Sequence, residues 1–339
     1  MALGVRLRDA HLSLAAMQEL TQLAEDKGYD SVWLPESMGR EAITELTVLA
    51  LSSRRIRVGT GIVPVFARLP TVAAAAIATA AQVAPGRVIL GLGIGHQHAL
   101  ESGHGVAFSR PLQHVREFTA IARRVLCEGE VTFAGEIYRI ARYRLDVLPP
   151  QPVPIFVAAL RPQMLRLAGA IADGVLLNWV PLAYLPQAVQ HIREGAAAAG
   201  RSPAEIQVAG YLRTCVTDTP EAVEQATRVQ LARYGSMVYY QRYFASIGFA
   251  DEAAAMAQAW QRGDADAAAR AVTRSMIQAL TVYGPAEACR ERLQAYREAG
   301  LQLPVIAPFP VGEPIQETFR RTMVGCALSG GIQGSGLES

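Results

Sequence analysis

Glu36, which closes the apolar run SVWLPE, and His96, which closes GLGIGH, are the two side chains best suited to moving a proton near neutral pH. A carboxyl at the end of a buried run would have its pKa raised and could then donate a proton. The other reading of Glu36 is a structural carboxylate paired with Arg40 or Arg57. A single imidazole titrates in the working range and suits proton transfer, although a histidine in a loop also serves as a plain hydrogen-bonding group. His98 and His104 follow His96, but no helix is expected to hold the three together and only Glu101 joins them, so no metal centre is expected. Arg161-Pro162 opens a helical stretch, where an arginine beside exposed amides would suit a phosphate; the alternative is a solvated surface arginine. Cys127, Cys215, Cys289 and Cys326 lie far apart with no Cys-x-x-Cys pair, and read as buried or incidental thiols. The glycines of GLGIGH fall at 91, 93 and 95, so the third is one residue early for the dinucleotide fingerprint, and a loop rather than a helix follows.

These residues must be placed by a regular succession of elements. Apolar runs at 4–7, 31–34, 56–61, 87–93, 154–159, 174–179, 206–214 and 303–309 alternate with amphipathic stretches. The runs are apolar almost throughout, as parallel strands covered on both faces are. Eight such units predict a (β/α)8 TIM barrel ahead of an open doubly wound sheet. Gly28, Gly86, Gly129, Gly200 and Gly300 each follow a helical run, where a left-handed closing residue belongs. Residues 1–328 read as one domain with two additions. Segment 131–152 reads as a hairpin before the fifth strand, and 236–282 as a helical, alanine-rich insert contributing Tyr239, Tyr240, Tyr243 and Phe244 to a wall or lid. Such additions form lids or subunit contacts, and a homodimer is the expected assembly. The tail 329–339 reads as disordered.

In a barrel the chemistry sits at the carboxyl ends of the strands. The residues there run from Arg8 and Asp9 through Pro35–Ser37, 59–63, 91–98, 158–162, Asn178 and Trp179 to Arg213, Thr214 and 308–310. They are poor in charge and rich in glycine, which suits a flat or phosphorylated ligand met largely by backbone amides. With 32 basic and 30 acidic residues the net charge is +2, too balanced for nucleic acid or a membrane surface to be the main partner. At 51% hydrophobic residues the chain can bury a large core without disulfides or metal. No apolar run approaches a membrane span and no signal peptide is legible, so the expected address is the cytoplasm.

Taken in order, GYDSVWLPES, RRIRVGTGIVPVFARLP, GRVILGLGIGH, EGEVTFAGEIYRI, PIFVAALRPQMLRLAGAIADGVLLN and VYGPAEACRERL resemble the bacterial luciferase-like superfamily. They are most similar to the branch that uses the deazaflavin coenzyme F420, which includes methylenetetrahydromethanopterin reductase. The resemblance runs from Gly4 to about Pro310 and implies the same barrel, with F420 as hydride carrier and a small organic molecule as substrate. It implies that the third strand ends in a bulge, with Thr60, Gly61 and Ile62 against the coenzyme ring and a non-proline cis bond at Gly61–Ile62. It implies further that Gly93, Ile94 and Gly95 approach the ring. The phosphate would meet the amides of Ala159, Leu160 and Arg161, with Ala158 and Asn178 beside them. Glu36 or His96 would handle the proton. The chain departs from the branch in three places. Leu160-Arg161 stands where relatives often carry Gly-Gly, Ser37 where sugar-phosphate dehydrogenases carry histidine after the acid, and His96 where they carry glutamate. That sugar oxidation is therefore not expected. An FMN-dependent monooxygenase and a non-catalytic flavin-binding barrel are the alternative functions.

Overall fold

A computed structural model describes residues 2–8, 10–36, 39–309, 311–312 and 314–327. Asp9, Ser37, Pro310 and the expected disordered tail lie outside the described residues. Eight parallel strands close a barrel: β1 (Gly4–Arg6), β2 (Ser31–Leu34), β3 (Arg57–Thr60), β5 (Val88–Gly93), β8 (Ile155–Ala158), β9 (Gly174–Asn178), β10 (Gln207–Val216) and β12 (Leu303–Pro308). β12 pairs with both β1 and β10, and β9 pairs with β10, so the ring has no free edge. Seven of the eight predicted runs contain one of these strands, and the run 206–214 covers all of β10 but its last two residues.

The helices wrap the outside. α1 (Leu14–Asp26), α2 (Ala42–Leu51), α3 (Pro70–Val83), α4 (Pro111–Glu128), α5 (Pro162–Ile171) and α6 (Leu185–Ala198) each follow a strand or its extension. Ser13 caps α1, accepting from the Ala16 amide at 3.1 Å. Proline occupies the first turn of α3, α4, α5 and α6, where its missing N–H costs nothing. The five predicted closing glycines all have positive φ. Alternation along the strands sends every second residue inward. Trp33, Ile89, Phe156, Leu176, Tyr211 and Val305 thereby form a separate cluster that plugs the barrel, with Trp33 and Phe156 edge to face at 5.2 Å. Burying each of these side chains contributes roughly 2 kcal/mol, and together they give the mouth a rigid floor.

Both insertions are present. Glu130–Ala134 (β6) and Arg139–Arg144 (β7) make the antiparallel hairpin expected near 131–152. Glu117 of α4 holds its turn, accepting from the amides of Glu136, Ile137 and Tyr138 at 2.8, 3.0 and 2.9 Å. Burial pushes this carboxyl up, but those amides and Gln113 outweigh it and bring it down to about 2. After β10, α7 (Pro220–Gly235) leads into the helical insert, α8 (Val238–Ser246), α9 (Ala250–Gln261), α10 (Ala265–Arg270) and α11 (Arg274–Leu280). The insert ends in a strand absent from the sequence reading, β11 (Thr281–Gly284), which pairs with residues 213–216 of β10 beyond the barrel rim. Then α12 (Ala286–Glu298) and, after β12, α13 (Ile315–Cys326) close the ring. Among the described residues no helix is long and apolar enough to cross a membrane.

Candidate functional site

The third strand breaks at the mouth. β3 pairs with β5 through Val58↔Val88 and Gly59↔Ile89, and resumes as β4 (Val63–Pro64) through Val63↔Leu92 and Pro64↔Gly93. Four steps from Gly59 to Val63 thus face three from Ile89 to Leu92, which defines a β-bulge. The Gly61–Ile62 peptide bond inside it is cis. Local hydrogen bonds fix the bulge from three sides. Gly61 N–H donates to Leu34 O at 2.8 Å, Glu36 N–H donates to Ile62 O at 3.0 Å, and the hydroxyl of Thr60 both donates to Gly91 O and accepts from Gly91 N–H. The buried Tyr211 hydroxyl donates to Gly61 O at 2.8 Å across the barrel.

This packing explains the glycines of the fourth run. A Cβ at Gly91 would lie 1.9 Å from Thr60 O, and one at Gly93 would lie 2.8 Å from Ile62 Cγ1 and 3.1 Å from Ala158 Cβ. The space at Gly93 is therefore filled by the bulge, and Gly95, at φ 68°, sits against Pro64. Ile94 is half-buried between them.

Glu36 departs from both of its expected pairings. Arg40 bonds Glu45 and Arg57 bonds Asp30, whereas Glu36 Oε2 is gripped by Arg68 and accepts from Ala42 N–H, at the start of α2, at 3.3 Å. Its side chain is 12% exposed. The carboxylate thus ties the end of β2 to α2 and to the residues after the bulge. His96 stands on the other wall, its ring 5.9 Å from Tyr234 and 6.0 Å from Tyr240. It keeps an exposed edge in a concave mouth, yet the crowding protein atoms, together with Arg233, hold its pKa below the ordinary value. His98, by contrast, lies at the surface on a single wide helical turn over Ala99–Gly103, 3.3 Å from Ser102 Oγ.

Beyond β8 the chain enters α5 without a side-chain cap, leaving amide groups of its first turn for another acceptor. One expectation needs correcting: the Ala159 amide is spent on Leu176 O at 3.2 Å, within the barrel wall, and cannot meet a phosphate. Leu160 and Arg161 remain beside the helix start, and Arg161 lies near enough to Tyr184 and Tyr239 to oppose the rise that burial gives both phenols. Asn178, at the end of β9, donates from Nδ2 to Tyr240 Oη at 3.0 Å, while its Oδ1 is buried with no partner.

Tyr234 and Arg6 at this mouth were not singled out by sequence, and Trp179 and Arg213 stood there only among the strand-end residues. Tyr234 packs edge to face on Tyr240 at 4.6 Å and on Trp179 at 5.3 Å. Burial would raise the Tyr234 phenol, but Arg213 and then Arg6 outweigh it and hold it below its usual value. Trp179 has φ 52°, uncommon for a bulky residue, and its carbonyl accepts from the fully buried Tyr243 hydroxyl at 3.1 Å. Thus α8 of the insert does wall the mouth, through Tyr240 and Tyr243.

The bulge and the uncapped start of α5 both lie at the carboxyl ends of the strands, the end at which a (β/α)8 barrel carries its site. The family model for luciferase-like monooxygenases matches residues 2–303, and the chain belongs to that family. It is 31% identical over 299 residues to 5,10-methylenetetrahydromethanopterin reductase of Methanolobus tindarius, covering 86% of this chain and 89% of that one. It is 29% identical over 242 residues to F420-dependent glucose-6-phosphate dehydrogenase of Kineococcus radiotolerans, covering 67% of this chain and 71% of that one. Among solved structures, coenzyme F420-dependent tetrahydromethanopterin reductase from Methanopyrus kandleri superposes with a TM-score of 0.81 at 26% identity, covering 96% of this chain and 98% of that one.

Proposed function

We propose that the chain is a coenzyme F420-dependent oxidoreductase that transfers hydride between the deazaflavin and a small organic substrate. The reading is supported by near full-length similarity to F420-dependent enzymes in a molecule whose third strand ends in the bulge at Gly61–Ile62. The single observation that carries it is the bulge itself, at the carboxyl end of the third strand, with its carbonyl held by Tyr211. The residues present fit the group. At Gly61 the bulge consists of backbone alone, since a Cβ there would meet Tyr211 Oη at 1.9 Å. Asn178 Oδ1 is an acceptor awaiting a donor, and α5 has an open N-terminus.

In this reading Thr60, Gly61 and Ile62 back the ring, Gly93, Ile94 and Gly95 hold the bulge from behind, and Leu160, Arg161, Ala158 and Asn178 serve the phosphate end. Bound there, the coenzyme supplies a carbon that gives or takes hydride. His96 handles the proton. Its lowered pKa keeps the imidazole neutral near pH 7, the form that accepts a proton when an alcohol-like substrate is oxidised. Glu36, gripped by Arg68, acts as a positioning residue through its backbone bond to Ile62. Tyr240 and Trp179 exclude water from the far wall. A cytoplasmic homodimer completes the reading, tested by sedimentation and fractionation.

Fluorescence titration tests the assignment: F420 should bind saturably and FMN at least tenfold more weakly. Binding of FMN in preference to F420 would move the protein to the monooxygenase reading. F420 binding with no exchange of hydride across alcohols, carbonyls, imines and activated alkenes would leave a non-catalytic carrier.

A further inference from the structure

Two guanidinium groups stand inside the barrel mouth with no carboxylate partner among the described residues. Arg213 of β10 is 5% exposed, its Cζ lies 4.4 Å over the Trp179 ring, its Nη2 is 3.5 Å from Tyr234 Oη, and its Nη1 is buried with no acceptor. Arg6, at the end of β1, lies with its Cζ 5.7 Å over the Tyr211 ring. Strand register puts the two side by side. Val5 and Leu212 both face Ile306 of β12, so Arg6 and Arg213 continue one row with Ala307 between them. Two strand spacings separate their backbones by about 10 Å, and the residue between them, Ala307, carries only a methyl group. Burial, then Arg213, lowers the Arg6 guanidinium to about 10, so Arg6 remains charged at neutral pH.

Two cations with no counter-ion among the described residues raise the energy of the ligand-free site, and an anion between them removes both the repulsion and the unsatisfied donor. We propose that Arg213 and Arg6 form a recognition site for a carboxylate carried by the substrate, with the adjoining part of that substrate lying against Trp179 and Tyr234. This deepens the functional reading above and rests on it for the identity of the mouth as the substrate site. A carboxylate matches the planar fork of Arg213, which Trp179 already orients by stacking, so little rotamer freedom is lost on binding. The left-handed backbone at Trp179, pinned by Tyr243, sets that indole in place before any ligand arrives. The competing use of the two charges is to stabilise an anionic pyrimidine edge of the coenzyme.

The full chain is titrated with benzoate and with its neutral isostere benzamide, following tryptophan fluorescence and thermal stability. Benzoate should bind saturably, at least tenfold more tightly than benzamide and more weakly as salt rises. Arg213→Met should lose at least tenfold in benzoate affinity, Arg6→Met several-fold, and Arg213→Lys should recover part of the loss even if the methionine variant is poorly folded. F420 affinity in the same variants should stay within about twofold of wild type. Equal binding of benzoate and benzamide by the wild type overturns the proposal. So does a loss of F420 affinity in Arg213→Lys with benzoate affinity unchanged, which would give the charges to the coenzyme. Arginine-dependent benzoate binding in a protein that takes up no F420 would sink the functional reading and leave the carboxylate site standing.

Discussion

The β3–β5 side of the barrel mouth and the β9–β10 side are built from opposite materials. On the first, Thr60, Gly61, Gly91 and Gly93 bring backbone against backbone, and the nearest charged group, Glu36, is neutralised by Arg68. On the second, Trp179, Tyr234 and Tyr240 surround Arg213, with Arg6 beyond it. Small residues leave a surface whose shape is set by main-chain hydrogen bonds, which no single rotamer can alter. Large aromatic and cationic side chains leave a surface whose chemistry changes with each substitution. The first side is suited to holding a ligand common to many relatives, and the second to choosing between substrates.

The largest effect should come from putting a side chain into the tight half. Gly91→Ala aims a Cβ at the Thr60 carbonyl, which cannot move without dismantling the bulge, and should cost about 3 kcal/mol with loss of F420 binding. Urea unfolding that leaves the variant as stable as wild type would break the contrast. His96 lies on the seam, carried by one side but facing the aromatics of the other. His96→Asn should lower kcat for substrate oxidation about 100-fold and abolish the acid limb of its pH profile. That limb should lie below the ordinary histidine value of about 6.5, because its pKa is lowered in the mouth.

Tyr211→Phe removes a hydrogen-bonded strut between the two sides. The Gly61 carbonyl would be left buried without its donor, which costs about 1–3 kcal/mol, and F420 affinity should fall roughly tenfold while benzoate affinity falls less. Equal losses for both ligands would mean that the sides are not separable. Glu117 lies outside both and sharpens the comparison as a control: Glu117→Gln should lower stability by about 1 kcal/mol with F420 affinity unchanged. Its folded pKa is depressed, so its contribution is present above the unfolded value of about 4.3 and lost as pH falls toward 2. The difference in urea midpoint between wild type and variant should shrink over that window.

The barrel was legible because parallel strands buried on both faces read as unbroken apolar runs, and because glycine closes helices for a local reason. β11 was not legible: TVYG follows directly on a helix, is only four residues long and pairs outside the ring. The bulge was expected from the resemblance, at Thr60, Gly61 and Ile62. Its consequences for Gly91 and Gly93 were not visible, since those glycines answer to a neighbouring strand rather than to a ligand or a turn. Glu36 was recognised as a buried carboxylate but given the wrong partners, because Arg68 lies 32 residues away and only the pairing of β2 with β3 brings it near. The phosphate expectation at Ala159 failed for a similar reason, as its amide belongs to the strand ladder. Arg6 was the costliest omission, and Arg213, though counted among the strand-end residues, was given no role. Each is a lone cation at an inward-facing position of an apolar run, in GVRL and AGYLRT, and that break in pattern was the available signal.

Tyr211 and Arg213 occupy successive inward positions of β10, one pleat repeat apart, about 7 Å along the strand. The strand therefore works as a ruler, with the prop beneath the bulge at one mark and the guanidinium at the next. Sliding β10 by a single residue would turn both side chains out of the barrel, so this interval cannot be adjusted gradually. Molecules that fit must carry their charged end at a distance from the reacting carbon that the interval permits, and adaptation to longer or shorter ones has to proceed by exchanging Arg213 or Arg6 while the scaffold stays as it is.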